Sequence, residues 1–194
     1  MTQDRRTFLR HSAAALSAAS LGAEDAIAAT PPRALDTTLL RAVGDAVLPE
    51  AIGPNGREIA VGAFEFWLSD FQPVAELTHP YGGSEIPYGP PDPEPGWSAQ
   101  LEALDILAEA RWDSSFASLS ADRRREILGE QMGPPTDGFA APGRARHVAV
   151  ALMAHYFASA DAVDRCYGVR ITKLECRSID DVGKRPERLQ EGQP

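Results

Sequence analysis

Few side chains in this sequence can do chemistry. The chain has two cysteines, Cys166 and Cys176, and four histidines, of which His79, His147 and His155 lie beyond the N-terminal stretch. The cysteines are ten positions apart, without the close pairing that zinc or iron–sulfur ligation uses. A bridge between them would close a loop of about ten residues and stabilise by about 2–3 kcal/mol. Such a bridge is the expectation; a bond from one cysteine to another polypeptide, or two free thiols, are the alternatives. His147 and His155 stand two helical turns apart, too far to chelate one metal unaided, so each is expected to be a satisfied structural histidine. Asp161 and Asp164 share a helical face and read as capping and solvating groups. No dinucleotide fingerprint, haem-attachment motif, phosphate loop or nucleophile elbow occurs anywhere in the chain. The expectation is therefore no catalytic, cofactor-binding or metal-binding residue on this chain. A stand-alone exported enzyme built from His147, His155 and nearby carboxylates, or an exported binding protein for a small ligand, are the competing readings.

The strongest signal is an address. Asp4-Arg5-Arg6-Thr7-Phe8-Leu9-Arg10 is followed by the soft apolar run Ser12–Leu21, mostly Ala and Ser, and then by Ala26-Ile27-Ala28. A basic head, a short apolar middle and a small-residue exit make an export signal, with cleavage expected after Ala28. Arg5 and Arg6 before Phe8 and Leu9 resemble the twin-arginine signal, whose pathway carries cargo already folded. The run is about half of the roughly 20 apolar residues a membrane span needs, so no anchor is expected after cleavage.

Removing 28 of 194 residues leaves 166, enough for one domain with a sizeable core. The signal balances its own charges: Arg5, Arg6 and Arg10 against Asp4, Glu24 and Asp25. The rest therefore keeps the whole net charge of −9, which argues against nucleic acid as a partner because phosphate binding needs a basic face.

The elements beyond the signal read as all-α. We expect an irregular helical domain of about five helices over 37–168, with long Pro/Gly-rich loops, a linker at 29–36 and an extended, fraying tail at 169–194. Asp36 is an N-cap for a first helix that Pro49 stops. Gly53-Pro54-Asn55-Gly56 reads as a turn. A second helix from about Ile59 to Phe71 puts Phe64, Trp67, Leu68 and Phe71 on one face and Phe66 on the other. His79–Gly96, with six prolines and four glycines, should be an extended strap. Its Tyr81 and Tyr88 and the flanking Trp97 favour packing on something over free motion. Ser98 caps a third helix and Ser120 a fourth. Arg123-Arg124-Arg125 reads as a solvated face. Arg144–Ala158 is apolar all round, as in a helix enclosed by its neighbours. A short last helix ends at Tyr167 with Gly168 at C′.

The run Leu39-Leu40-Arg41-Ala42-Val43-Gly44-Asp45-Ala46-Val47-Leu48-Pro49-Glu50, with Val61-Gly62-Ala63-Phe64-Glu65-Phe66, resembles the gluconate 2-dehydrogenase subunit 3 family. Gly96-Trp97 followed by Leu101, Leu104 and Asp105, then Phe116–Leu119, Arg125–Leu128, His155–Ser159 and Tyr167-Gly168, extend the similarity over most of the chain. The resemblance implies a non-catalytic small subunit of a periplasmic, FAD-dependent sugar or alcohol dehydrogenase complex. A large flavoprotein of the glucose–methanol–choline type would carry the FAD, and a multi-haem cytochrome c would be a further subunit. The small subunit would take the signal-less flavoprotein through the twin-arginine translocon. The Pro-rich strap and the tail after Gly168 do not match the family. Phe66, Tyr81, Tyr88 and Trp97 are the candidates for partner contact, together with the Cys166–Cys176 region.

Overall fold

The computed structural model describes residues 35–77, 85–134, 138–171, 179–181, 183–185 and 187–189. The chain divides into Met1–Pro32 and Arg33–Pro194, and all described residues belong to the second unit. The signal residues Arg5, Arg6, Phe8, Leu9, Ala26 and Ala28 lie outside the described residues, as do Tyr81 and Cys176.

The fold is all-α. Among the described residues there are six α-helices: α1 Thr37–Val47, α2 Gly53–Ser69, α3 Glu94–Trp112, α4 Ala121–Met132, α5 Val148–Phe157 and α6 Ala160–Tyr167. Asp36 caps α1 as expected, its Oδ1 accepting from Thr38 N and Leu39 N. Ser159 caps α6, and Gly168 closes it in the left-handed conformation at φ 65°.

Helix α1 is the hub. It packs against α2, α3, α4 and α5 and against the 3₁₀ turn Phe116–Ser118. Leu40 and Val43 are wholly enclosed and join Phe64, Leu101, Leu104, Phe116, Ile127 and Leu152 in one core. Gly44 permits the contact with α2. A Cβ placed there would lie 2.6 Å from Val61 Cγ2, closer than any stable carbon–carbon contact.

Two helices begin earlier than the sequence suggests, for the same reason. Gly53-Pro54-Asn55-Gly56 is the first turn of α2, and Glu94-Pro95-Gly96 is the first turn of α3. Proline is tolerated there because the first-turn N–H groups have no intrahelical partner to lose. Trp97 is therefore a helical residue, 2 % exposed and set against Phe64 with ring centroids 5.6 Å apart. It belongs to the core, which corrects its assignment as a partner contact.

The strap is partly a ribbon. Leu77 N donates to Pro87 O, Gly89 N to Ala75 O and Val74 N to Pro90 O, so the prolines serve as acceptors only. Tyr88 pairs with Glu76 there and stays exposed. Nor does the described part of the tail run free: Arg170 N donates to Glu187 O and Leu189 N to Gly168 O.

The arginine run is a solvated face only in part: Arg123 and Arg125 stay exposed, while Arg124 is half-buried, and all three have partners. Arg124 donates to Phe116 O and Ala117 O. Arg125 Nε donates to Ala46 O at 3.1 Å, occupying one of the carbonyls that α1 leaves unpaired at its end. Arg123 lies over the Trp112 ring.

Gly44→Ala removes the helix-propensity penalty of glycine, about 1 kcal/mol, but forces a methyl into stiff, branched Val61, which costs about 1–3 kcal/mol. The clash wins. We expect a net loss of about 1–2 kcal/mol in urea unfolding, with Val61→Ala recovering part of it in the double variant.

Candidate functional site

Among the described residues, two surfaces with exposed apolar groups in contiguous arrangement stand out. The first follows from the 3.6-residue period of α2. Its inner face, Val61, Phe64 and Leu68, is in the core. Its outer face presents Ile59, Gly62, Ala63 and Phe66 at positions i, i+3, i+4 and i+7, all exposed, with Ile59 60 % and Phe66 76 % accessible. Such a stripe normally carries polar residues. Phe66 thus sits where the sequence placed it.

The stripe runs into an open groove of about 420 Å³ at the end of α2, lined by Phe66, Trp67, Asp70, Phe71, Gln72 and His155. Trp67 holds the groove together. Its ring centroid is 5.5 Å from Phe64, 5.3 Å from Phe71 and 5.7 Å from His155. His155 reaches this cluster from α5, with its pKa lowered by partial burial, so at neutral pH it packs as an uncharged ring.

The second surface is a larger groove of about 810 Å³ on the other side of α5. Val150 and Met153 of α5 form one wall, and Met132 at the end of α4 with Phe139 forms the other. Phe139 stacks on Phe157, centroids 5.8 Å apart and planes at 14°.

A polar knot at the start of α5 borders the second groove. His147, 6 % exposed, is the N-cap, and its Nδ1 accepts from Ala149 N at 3.1 Å. Nε2 therefore carries the proton and donates to Gln131 Oε1 at 3.0 Å. Gln100 on α3 completes the knot: Val148 N donates to its Oε1, and its Nε2 donates to Arg146 O. The neutral tautomer is required, because a protonated Nδ1 could not accept the cap bond. Burial lowers the His147 pKa accordingly. The sequence marked His147 as a satisfied histidine, but Gln100 and Gln131 carried no signal: their partners lie 48 and 16 positions away.

The remaining expectations divide. Asp161 pairs with Arg165 and meets the Tyr156 hydroxyl, and Asp164 Oδ1 accepts from Ile171 N, consistent with capping and solvation. His147 and His155 lie in different clusters and do not form one site. Cys166 is an exposed free cysteine, so the expected bridge to Cys176 is not formed in this structure. Among the described residues no group of three His, Cys, Asp or Glu side chains is placed to hold a metal, and no helix is long and apolar enough to cross a membrane. Comparison with protein-family models, with curated proteins and with solved structures returned no match.

Buried His147 and half-buried His155 both have lowered pKa values, so the unfolded chain binds protons that the folded chain excludes. Their contribution is complete above the ordinary histidine pKa of about 6.5 and is lost as pH falls below it. The melting temperature should drop on going from pH 7.5 to 5.5. His147→Asn keeps a capping side chain while removing the titration, and should flatten that drop; His147→Ala should cost about 1–2 kcal/mol at pH 7.5.

Proposed function

We propose that this chain is the non-catalytic small subunit of an exported FAD-dependent sugar or alcohol dehydrogenase. It binds the folded flavoprotein in the cytoplasm, escorts it through the twin-arginine translocon to the periplasm and stays in the complex. Arg5, Arg6, Phe8 and Leu9 bear the address. The FAD belongs to the large subunit, and a cytochrome c subunit would take the electrons.

The observation that carries this reading is the outer face of α2. Ile59, Ala63 and Phe66 present an unbroken apolar stripe that no other described part of this chain covers, and it continues into the Trp67–Phe71–His155 groove. Aromatic residues beside pockets are the anchors from which protein–protein interfaces draw most of their affinity. The Gly62 and Ala63 positions leave room for a partner helix to lie close against α2. Tyr88, exposed on the ribbon, is a further contact. The twin-arginine head and the family resemblance are what support a folded flavoprotein as that partner.

Two measurements test the proposal. With the flavoprotein co-expressed, Arg5→Lys with Arg6→Lys should leave both polypeptides, and the dehydrogenase activity, in the cytoplasm; full export of the flavoprotein would refute the escort role. Separately, Ile59→Asp with Phe66→Asp should weaken co-purification of the flavoprotein at least tenfold, about 1.4 kcal/mol, without lowering the melting temperature, since both side chains already face solvent.

A further inference from the structure

We infer that the groove between α5 and the end of α4 binds a single-chain amphiphile with an anionic head, of the fatty-acid class, taken up as a free molecule. This inference stands apart from the escort role, because it rests on a different face of α5 and on different residues.

The groove encloses about 810 Å³, within the range of about 300–1,000 Å³ typical of small-molecule sites. Its walls are apolar. Val150 and Met153 sit half-buried on α5, facing Met132 and Phe139. The two methionines supply unbranched, adaptable thioether chains that accommodate an equally unbranched guest. Phe139 remains 50 % exposed although it is stacked on Phe157, itself 42 % exposed. The pair presents apolar surface that the described residues leave in water.

Among the described residues the charged groups at the groove are of one sign: the lining includes Arg144 and Arg146 and no carboxylate, in a chain of net charge −9. The buried His147 beside them is neutral and its two ring nitrogens are both engaged. Arg144 spends one donor on Tyr88 O at 3.3 Å, which leaves most of its planar fork available. The Arg146 backbone is held by the Gln100 bond to its carbonyl at 2.7 Å, while its side chain is exposed and meets no acceptor among the described residues. Two arginines in the lining of a mostly apolar trough suit a carboxylate head with an acyl tail, since guanidinium binds carboxylate through paired charge-assisted hydrogen bonds. A cationic or uncharged head would forgo that pairing.

Dodecanoate, below its micellar concentration, is the probe, titrated calorimetrically into the full chain. We expect one molecule bound per chain, at least tenfold tighter than dodecyltrimethylammonium. Arg146→Glu should erase that preference. Met153→Trp and Val150→Phe, each of which fills the trough, should abolish binding of both amphiphiles, with the melting transition retained as the control for folding. The inference fails if dodecanoate does not bind, if the two head groups bind alike, or if binding survives whichever trough-filling variant keeps its melting transition. It also fails if the chain instead co-sediments with phosphatidylglycerol vesicles through these same residues, which would make the surface a membrane contact.

Discussion

Helix α1 is enclosed by four helices, and the burial that makes it the hub also strands its last carbonyls away from easy hydration. Pro49 ends the helix and cannot donate to them. The Arg125 side chain of α4 answers for one of them, at Ala46 O. Asp45 on α1 draws in two further arginines, Arg57 of α2 at 3.3 Å and Arg124 of α4 at 3.8 Å. The Arg57 Nε is buried and has no well-angled hydrogen bond, so that pair is held by charge. The apolar contacts of Leu40 and Val43 supply the larger stabilisation, while the arginines fix where α2 and α4 end up relative to α1.

That placement decides which side of α2 faces water. With Gly44 admitting Val61, α2 lies close on α1, Phe64 turns wholly inward, and Phe66, two residues on, is carried to the outside. The same inward turn gathers Trp67, Trp97 and His155 around Phe64. The exposed stripe and the aromatic groove are thus consequences of one close helix contact.

The start of α5 works by a different device. Its first N–H groups are met by His147 and Gln100 rather than by a Ser, Thr or Asp cap. These side chains join α3, α4 and α5 in one hydrogen-bonded knot beneath the 142–146 segment, where Arg144 and Arg146 emerge. A neutral imidazole serves as cap because it is buried, and it stays neutral for the same reason. The ribbon Val74–Leu77 with Pro87–Pro90 leans on this segment as well: a Cβ on Gly143 would strike the Phe71 ring at 2.8 Å and approach Pro90 at 3.3 Å.

Local chemistry was legible in the residues themselves. The Asp36 cap, the stop at Pro49, the Gly168 end, the inner face of α2 and the outward Phe66 all follow from propensities and a 3.6-residue period, which act within one or two turns. The starts of α2 and α3 were misread because a proline in a first turn looks the same as a proline in a loop until the helix after it is docked. The burial of Trp97 and the pairings of the arginine run were missed because burial and long-range pairing depend on neighbours far along the chain. Phe64 lies 33 positions from Trp97, and Ala46 lies 79 from Arg125. The sequence by itself determined which segments are helical and which faces of them are apolar. Only the packing of α1 among its neighbours decided which of those apolar faces remain uncovered, because a face is exposed or buried solely by what comes to rest against it.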